Sequence, residues 1–525
     1  MSTKAATGGA SAGPREVRWP RIWLAVAIGL LTAIAGRWLP YPNGTDPGPA
    51  CRLLFVTALT TSCWLLAAMP IAAASLLPLA LLPLLGVQST ATLTAGYGHP
   101  ILWLFGGGFV LAFAVERCGL HRRLALRTVV AFGPNPRRLI TAFFLSATVL
   151  SMWISNTATA LLLLPIGIVL VRRSAEIGEL PPKVQSNFAA GIMCAIAFGA
   201  SIGGMATPIG TAPNALFFAA HEPLVEAGAR PLSFLDWLLA FGPYALLFAW
   251  LSSVVLVRFA LPVPGIRYRR GDELLAEARA LPRWSAAEKR TALLFGVAVL
   301  LWTTRGDFHL GAGEVVHGWA HYLVPAGERD RFIADGTVAV LVAILAFVTP
   351  SGDAARSHLV DWDAARQMPI DLLLLLGGGI AMANAFGPTG LSAAFGEMLE
   401  PLIGALHPAL LMFVMVLSIT ALSEVASNTA CATMLLPVFR DGAVAAGLDP
   451  VVLMAPAVIA SSCGFMLPIA TPPNTIVFAS RQITFAQMAR AGIWIDLLAA
   501  LLFVPVVVWW SLPILGIDLT PGAGR

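Results

Sequence analysis

The chain carries four sequence landmarks twice, in the same order. L-F-G-G-G at 104–108 returns as L-L-G-G-G at 375–379, and Gly119-Leu120 returns as Gly390-Leu391, both 271 residues on. Ser155-Asn156-Thr157-Ala158 returns as Ser427-Asn428-Thr429-Ala430 after 272 residues, with a Pro nine positions beyond each Asn (Pro165, Pro437). P-I-G-T-A-P-N at 208–214 returns as P-I-A-T-P-P-N at 468–474 after 260 residues. Such a chain folds as two related halves, which leaves few architectures open.

Composition decides the solvent. Apolar residues make up 58% of the 525-residue chain and charged residues 12%, with mean hydropathy +0.80. Soluble domains carry roughly 25% charge, so there is too little here to cover a water-facing surface. The chain reads as an all-α polytopic membrane protein. A span needs about 20 apolar residues. Runs near 20–39, 51–69, 71–86, 101–117, 187–220, 237–257, 291–304, 337–349, 368–387, 451–480 and 491–513 predict about eleven transmembrane helices. Two further apolar stretches, 139–171 and 406–439, are broken by polar triplets and read as re-entrant hairpins.

Basic residues set the orientation. With the N-terminus cytoplasmic, 25 of the 33 Lys and Arg fall inside, the excess that the positive-inside rule demands. The odd number of spans then puts the C-terminus outside the cytoplasm. The charged run from Arg15 to Arg21 with the apolar segment after it imitates a secretory signal, but the remaining topology needs an uncleaved first span. The parts are a disordered cytoplasmic tail (1–19), a first membrane helix with the first repeat (20–257) and a cytoplasmic linker (258–290). The second repeat (291–513) and an extracytoplasmic tail (514–525) follow. The span at 101–117 runs outward to inward and its partner at 368–387 the reverse, so the repeats are inverted. Inverted repeats with paired broken helices point to a secondary transporter with its site near the midplane.

Several classes are excluded. None of the three Lys residues (Lys4, Lys183, Lys289) follows a Gly, so no phosphate-binding loop exists and transport on this chain alone is not ATP-driven. Six scattered Cys form no C-x-x-C and read as small buried hydrophobes. No cofactor is implied; the apolar composition calls for membrane lipid as a partner, and with a modest net charge of +5 no nucleic acid is expected.

The broken elements carry the function. Ser, Asn and Thr favour helix N-caps, so each S-N-T starts the second arm of its hairpin. Pro213 and Pro473 suit a first helical turn, with Thr211 and Thr471 before them, so 187–220 and 451–480 each split around an unwound stretch. Non-helical backbone at membrane depth is tolerated only beside a polar cavity. Four helix N-termini result, each worth about half a positive charge, which together match a dianion. The segments 139–171, 187–220, 391–439 and 441–480 contain no Lys or Arg. An anion there depends on dipoles, amide and hydroxyl donors and any bound cation, unless a flanking residue such as Arg440 reaches in. Unwound carbonyls with Ser and Asn oxygens suit a small cation such as sodium.

S-M-W-I-S-N-T-A-T-A, S-E-V-A-S-N-T-A, P-I-G-T-A-P-N and P-I-A-T-P-P-N resemble the divalent anion/sodium symporter family of dicarboxylate, citrate and sulfate transporters. The resemblance implies one sodium site from Ser151, Ser155, Asn156 and Gly210, and a second from Ser423, Ala426, Asn428 and Ala470. It implies substrate contacts from Asn156, Thr157, Thr211, Asn428, Thr429, Thr471 and Pro472. Ser423 stands where the family often has Thr, and Ala212 where a Pro is usual. The resemblance further implies a homodimer with a transport domain sliding against a scaffold as an elevator, in the bacterial inner membrane. The function expected is sodium-coupled import of succinate, malate, fumarate or a related divalent anion such as citrate or sulfate. The alternative is a sodium-independent dicarboxylate exchanger.

Three further features have plainer readings. Gly199-Ala200-Ser201-Ile202-Gly203 fits a nucleophile elbow, but lies in an apolar span where small residues let helices approach, so no enzyme activity is expected. Glu314, His317 and His321, with His309 nearby, have metal-ligand spacing if helical, yet read as a solvated face. Glu424 is an intramembrane acid. It would repel a dianion, so it is placed beside the second cation site or as a pin for the hairpin.

Overall fold

In a computed structural model, residues 17–42, 44–265, 281–310, 314–324, 332–353 and 356–517 are described, those at 308–310, 314–316, 399–400 and 402–405 by backbone alone. The tail residues 1–16, the linker segment 266–280 and residues 518–525 lie outside them. A chain in lipid must satisfy its backbone internally, and this one does so with helices. The first half runs α1 (Trp19–Ala35), α2 (Pro47–Leu65), α3 (Pro100–Cys118), α4 (Leu120–Phe132), α5 (Pro136–Ser151), α6 (Asn156–Ile177), α7 (Pro182–Gly204), α8 (Ala212–Glu226) and α9 (Phe234–Val255). The second runs α10 (Ala286–Thr303), α11 (Asp335–Val348), α12 (Ile370–Phe386), α13 (Leu391–Ala405), α14 (Pro408–Ser423), α15 (Asn428–Ala445), α16 (Val451–Ser461), α17 (Pro472–Ala479) and α18 (Phe485–Val506).

The series α3 to α9 repeats as α12 to α18. The duplicated Gly-Leu has a backbone reason: Gly119 (φ +79°) and Gly390 (φ +75°) are left-handed at the turn from α3 into α4 and from α12 into α13. Only Gly takes that conformation without strain. The bend at Gly390 is 78°. Helices α4 and α13 were not foreseen, because each is too polar or too short to read as a span.

Not every apolar run yields one helix of full spanning length. Among the described residues six helices are long and apolar enough to cross, or up to seven if the bent pair α12–α13 counts as one. The runs at 71–86, 337–349 and 451–480 yield only shorter apolar helices, Ile71–Leu84, Asp335–Val348 and Val451–Ser461. Every residue of α16 is buried, so it packs inside the protein and is relieved of spanning lipid alone. Conversely α6, read as one arm of a hairpin, is 22 residues long and passes the test for a span.

The predicted breaks fall where the polar triplets stand. α5 and α6 meet at Met152–Ser155, and α14 and α15 at Glu424–Ser427. α7 gives way to α8 across 205–211, and α16 to α17 across 462–471. Glycines set the closeness of the packing. A Cβ at Gly199 would lie 2.6 Å from the Phe144 carbonyl, and one at Gly203 would strike that of Thr148, so α7 lies directly on α5. The last residues of the linker are built into the fold: Arg123 of α4 donates to Glu288 of α10 at 2.7 and 2.9 Å and to the Pro282 carbonyl at 2.8 Å, both side chains buried. Two short ribbons, β1–β2 (Phe308–Leu310 with Glu314–Val316) and β3–β4 (Pro350–Asp353 with Arg356–His358), cap loops at the ends of α10 and α11.

Candidate functional site in the paired hairpins and broken helices

At the first hairpin, Ser155 caps α6 by accepting the Ala158 amide at 3.2 Å. Asn156 then points one end of its amide at three oxygens: Ser151 Oγ at 2.7 Å, the Ala200 carbonyl at 3.1 Å and the Gly210 carbonyl at 3.3 Å. Carbonyls only accept, and a Ser hydroxyl brings one hydrogen. The set is satisfied in two ways. Either Nδ2 faces the three oxygens and donates to them, or Oδ1 faces them and a small cation sits among the four. Gly204 makes room, since a Cβ there would lie 2.6 Å from the Asn156 amide.

The second hairpin repeats the pattern. Ser423 Oγ lies 3.0 Å from Asn428 Oδ1 and 2.6 Å from the Ser461 carbonyl. The Ser423 hydroxyl donates to the nearer Ser461 carbonyl, and either end of the Asn428 amide can face its oxygen. Ala470, the counterpart of Gly210, is buried, and its Cβ would stand 3.2 Å from one built on Gly464. Ala426 lies buried in the hairpin turn.

Each broken helix meets the hairpin of the opposite half. α8, opening after Thr211, packs on α15, which opens at Asn428 and Thr429; α17, opening after Thr471 at Pro472, packs on α6, which opens at Asn156 and Thr157. The helices of the two repeats are thereby interleaved. Caps divide by pair. Ser155 and Thr471 cap their own helices, while Ser427 and Thr211 make no side-chain cap bond.

A cavity of about 850 Å3 reaches the first hairpin, lined by Ser155 and Thr157 at its tip, Phe113 and Pro165 along its walls, and Arg122 and Arg173. His121 of α4 also borders it; burial holds its imidazole below the ordinary value, partly offset by a 2.9 Å contact with the Val115 carbonyl. Thr157 is thus brought to open space, while Asn428, Thr429 and Thr471 are not among its lining residues.

Two clamps were missed in the sequence, though the duplicated T-x-P-N contains both. Asn214 Nδ2 donates to the carbonyls of Gly204 (3.0 Å) and Thr207 (2.7 Å). Asn474 Nδ2 donates to those of Gly464 and Leu467, both at 3.0 Å. Each ties an unwound loop to the helix that follows it. Glu424 pins hairpin to loop, accepting the amides of Met466 (2.7 Å) and Leu467 (2.8 Å). Arg440 does not reach the hairpins: it is engaged by Asp441 at 2.8 Å and the Ala220 carbonyl at 3.3 Å.

The sequence model described as the sodium:sulfate symporter transmembrane region matches residues 17–517. The chain belongs to this family. Among similar curated proteins is the sodium-dependent dicarboxylate transporter SdcS of Staphylococcus saprophyticus, 34% identical over 474 residues that cover 89% of this chain and 88% of that one. SdcS of Staphylococcus aureus strain bovine RF122 is 34% identical over 479 residues, covering 90% and 88%. Among solved structures, the Alcanivorax borkumensis YdaH transporter superposes with TM-score 0.55 at 15% identity, over 96% of this chain and 99% of that chain. Neisseria gonorrhoeae MtrF does so with TM-score 0.55 at 13% identity, over 96% of each. At those identities the likeness is one of fold.

As a member of the sodium:sulfate symporter family the protein is a multi-pass membrane transporter and no enzyme. The serine elbow agrees: Ser201 is fully buried in the last turn of α7, with no hydrogen-bond partner among the described residues. The histidine cluster needs a correction. His309 and Glu314 fall on the two strands of a ribbon, so helical ligand spacing does not arise. Instead His317 and His321 stack at 3.6 Å and turn Nδ1 toward Asp307, at 3.3 and 3.9 Å. This half-exposed cluster belongs to the loop between α10 and α11.

Proposed function

We propose that this symporter-family member is a secondary active importer that couples sodium to C4-dicarboxylates or related divalent anions. The observation that carries the reading is the same gathering of side-chain and backbone oxygens at both hairpin tips: Ser151 Oγ and the Ala200 and Gly210 carbonyls about the Asn156 amide, and the Ser461 carbonyl and the Asn428 amide about Ser423 Oγ. A small hard cation would be held at Ser151, Ser155, Asn156 and Gly210, and again at Ser423, Ala426, Asn428 and Ala470. Oxygen-only sets of this kind suit sodium better than a softer ion. The dianion lies between the hairpins on Asn156, Thr157, Thr211, Asn428, Thr429, Thr471 and Pro472, facing four helix N-termini. Bound cations raise anion affinity, and by linkage the anion raises theirs. The names of the SdcS relatives support dicarboxylate as cargo.

The interleaved hairpins and broken helices form one body that moves as an elevator against the remaining helices, with Gly119 and Gly390 at the corners where α3 and α12 turn into α4 and α13. The cavity beside Thr157 opens past Arg122 and Arg173, which the charge distribution puts on the cytoplasmic side, so this is an inward-facing state. A homodimer supplies a fixed frame in the bacterial inner membrane. Uptake of labelled succinate into proteoliposomes, with sodium or choline outside, tests the reading. Loss of uptake in choline supports it. Undiminished uptake that succinate preloaded inside stimulates would establish the exchanger instead.

A further inference from the structure

Asp307, His317 and His321 meet in the loop between α10 and α11, apart from every residue assigned above to cation or substrate. One donor atom from each lies within 4.8 Å of the other two. Asp307 Oδ2 stands 3.3 Å from His317 Nδ1 and 3.9 Å from His321 Nδ1. The two imidazoles stack with centroids 3.6 Å apart, so both nitrogens face the same carboxylate. His321 Nδ1 is buried and has no hydrogen-bond partner among the described residues. His317 is exposed, which leaves the group one side open to water.

The frame around these side chains is fixed. Asp307 turns its other oxygen to accept the Gly318 amide at 3.0 Å, the kind of outer bond that orients a ligating carboxylate. A Cβ on Gly318 would strike the carbonyls of Arg305 and Gly306, so the segment carrying both histidines lies directly on the end of α10. Trp319, between them, donates its backbone amide to the Thr304 carbonyl at 3.0 Å and its indole to that of Leu301 at 2.8 Å. A tight helical turn over Trp319–Tyr322 then brings His321 back over His317.

We propose that Asp307, His317 and His321 form a binding site for a divalent transition metal of the zinc class, distinct from the coupling cations. Two imidazoles and a carboxylate suit zinc and its neighbours, and suit sodium, magnesium or calcium poorly. A tetrahedral zinc with bonds of about 2.0–2.2 Å holds its donor atoms about 3.3–3.6 Å apart. Asp307 and His317 already stand at that separation, and His321 needs only a small movement of its ring. Water from the open side takes the fourth position, as at other three-ligand zinc sites. The bound ion braces the loop against α10. Arg305 carries the brace to the start of α11, donating to Asp335 at 2.6 Å and to the Ile333 carbonyl at 2.8 Å.

The test uses the full-length protein, purified without a polyhistidine tag and stripped of metal, titrated with zinc in competition with a chromophoric chelator. Wild type should bind one zinc per chain and keep it in excess sodium and magnesium. It should also melt at a higher temperature with zinc than without, because a ligand of the folded state stabilises that state. Loss of an outer-shell partner alone costs about 10–100-fold in metal affinity. His317→Ala and His321→Ala should therefore each weaken zinc by at least about tenfold and lose the zinc-dependent rise in melting temperature. Asp307→Asn, which retains an acceptor for the Gly318 amide, should weaken zinc likewise and so separates the lost ligand from a disturbed loop. A wild type that binds no zinc overturns the site, whichever variants fold. So does zinc binding of equal strength in all three variants, because the ion is then held elsewhere. Displacement of zinc by an equal concentration of magnesium also overturns it, because the donors are then oxygens and not imidazoles.

Discussion

Asn214 and Asn474, 260 residues apart, make the same pair of bonds. Each side-chain amide reaches back to the carbonyls ten and seven residues before it, at 3.0 and 2.7 Å in the first half and 3.0 and 3.0 Å in the second. The duplicated T-x-P-N is thereby a device for holding an unwound loop in one shape. That shape aims the Gly210 carbonyl at Asn156 and, in the second copy, sets the loop that Glu424 grips.

Asn214→Ala and Asn474→Ala should therefore loosen the loops without removing any proposed substrate contact. Each leaves two buried carbonyls short of a donor, worth about 1–3 kcal/mol. The expected outcome is a lower melting temperature in detergent together with weaker stabilisation by sodium. Equal melting curves with and without the amide would show that the loops hold themselves.

Substitution at the hairpin tips should act differently. Asn156→Ala and Asn428→Ala each remove a proposed cation ligand and a proposed substrate donor at once. Hydrogen bonds to charged groups contribute about 1.5–3 kcal/mol, so succinate affinity should fall at least about tenfold, with a matching rise in the sodium needed for half-maximal uptake. Ser201→Ala, which removes a hydroxyl with no hydrogen-bond partner among the described residues, should leave both parameters near wild type. Normal transport in the Asn variants would remove these residues from the site.

The hairpins and broken helices were legible in the sequence because their signals are local: a capping triplet, a Pro in the first turn, a gap in an apolar run. What escaped depends on contacts far apart in the chain. Arg123 looks like one basic residue among several until Glu288, 165 positions later, is seen against it. Asp307 joins His317 and His321 only because the loop folds as a ribbon rather than a helix. Apolar runs outnumber helices of spanning length because a helix such as α16, buried all round, needs no membrane-length run.

The linker end offers a stability test independent of transport. Arg123 and Glu288 are an almost fully buried pair with side chains 4% and 8% exposed. Removing one partner strands a charge, at a cost of about 3–5 kcal/mol. Glu288→Gln should lower the melting temperature markedly, and Arg123→Met combined with Glu288→Leu should recover much of it. A double variant as unstable as the single one would mean that the Pro282 carbonyl bond, and not the charge pair, anchors the linker to α4.

Substrate charge provides the last test. Four helix N-termini at about half a charge each complement a dianion better than a monoanion or trianion, and surplus charge in a site of low dielectric is costly. The segments forming the site contain no Lys or Arg, and Arg440 is held by Asp441 and the Ala220 carbonyl instead of reaching in. The proposed hairpin site therefore contains no basic side chain of its own to balance a third negative charge. Succinate is a dianion near neutrality, so its uptake at fixed sodium should stay nearly flat from mild acidity to mild alkalinity. Citrate gains dianion as the medium is acidified, so its inhibition of succinate uptake should strengthen in that direction. Competition curves at fixed sodium across that range separate the cases. Inhibition that instead tracks the citrate trianion would mean that a cation beyond the hairpin pair neutralises it, and the net charge moved per citrate, read from the same vesicles, would reveal that ion.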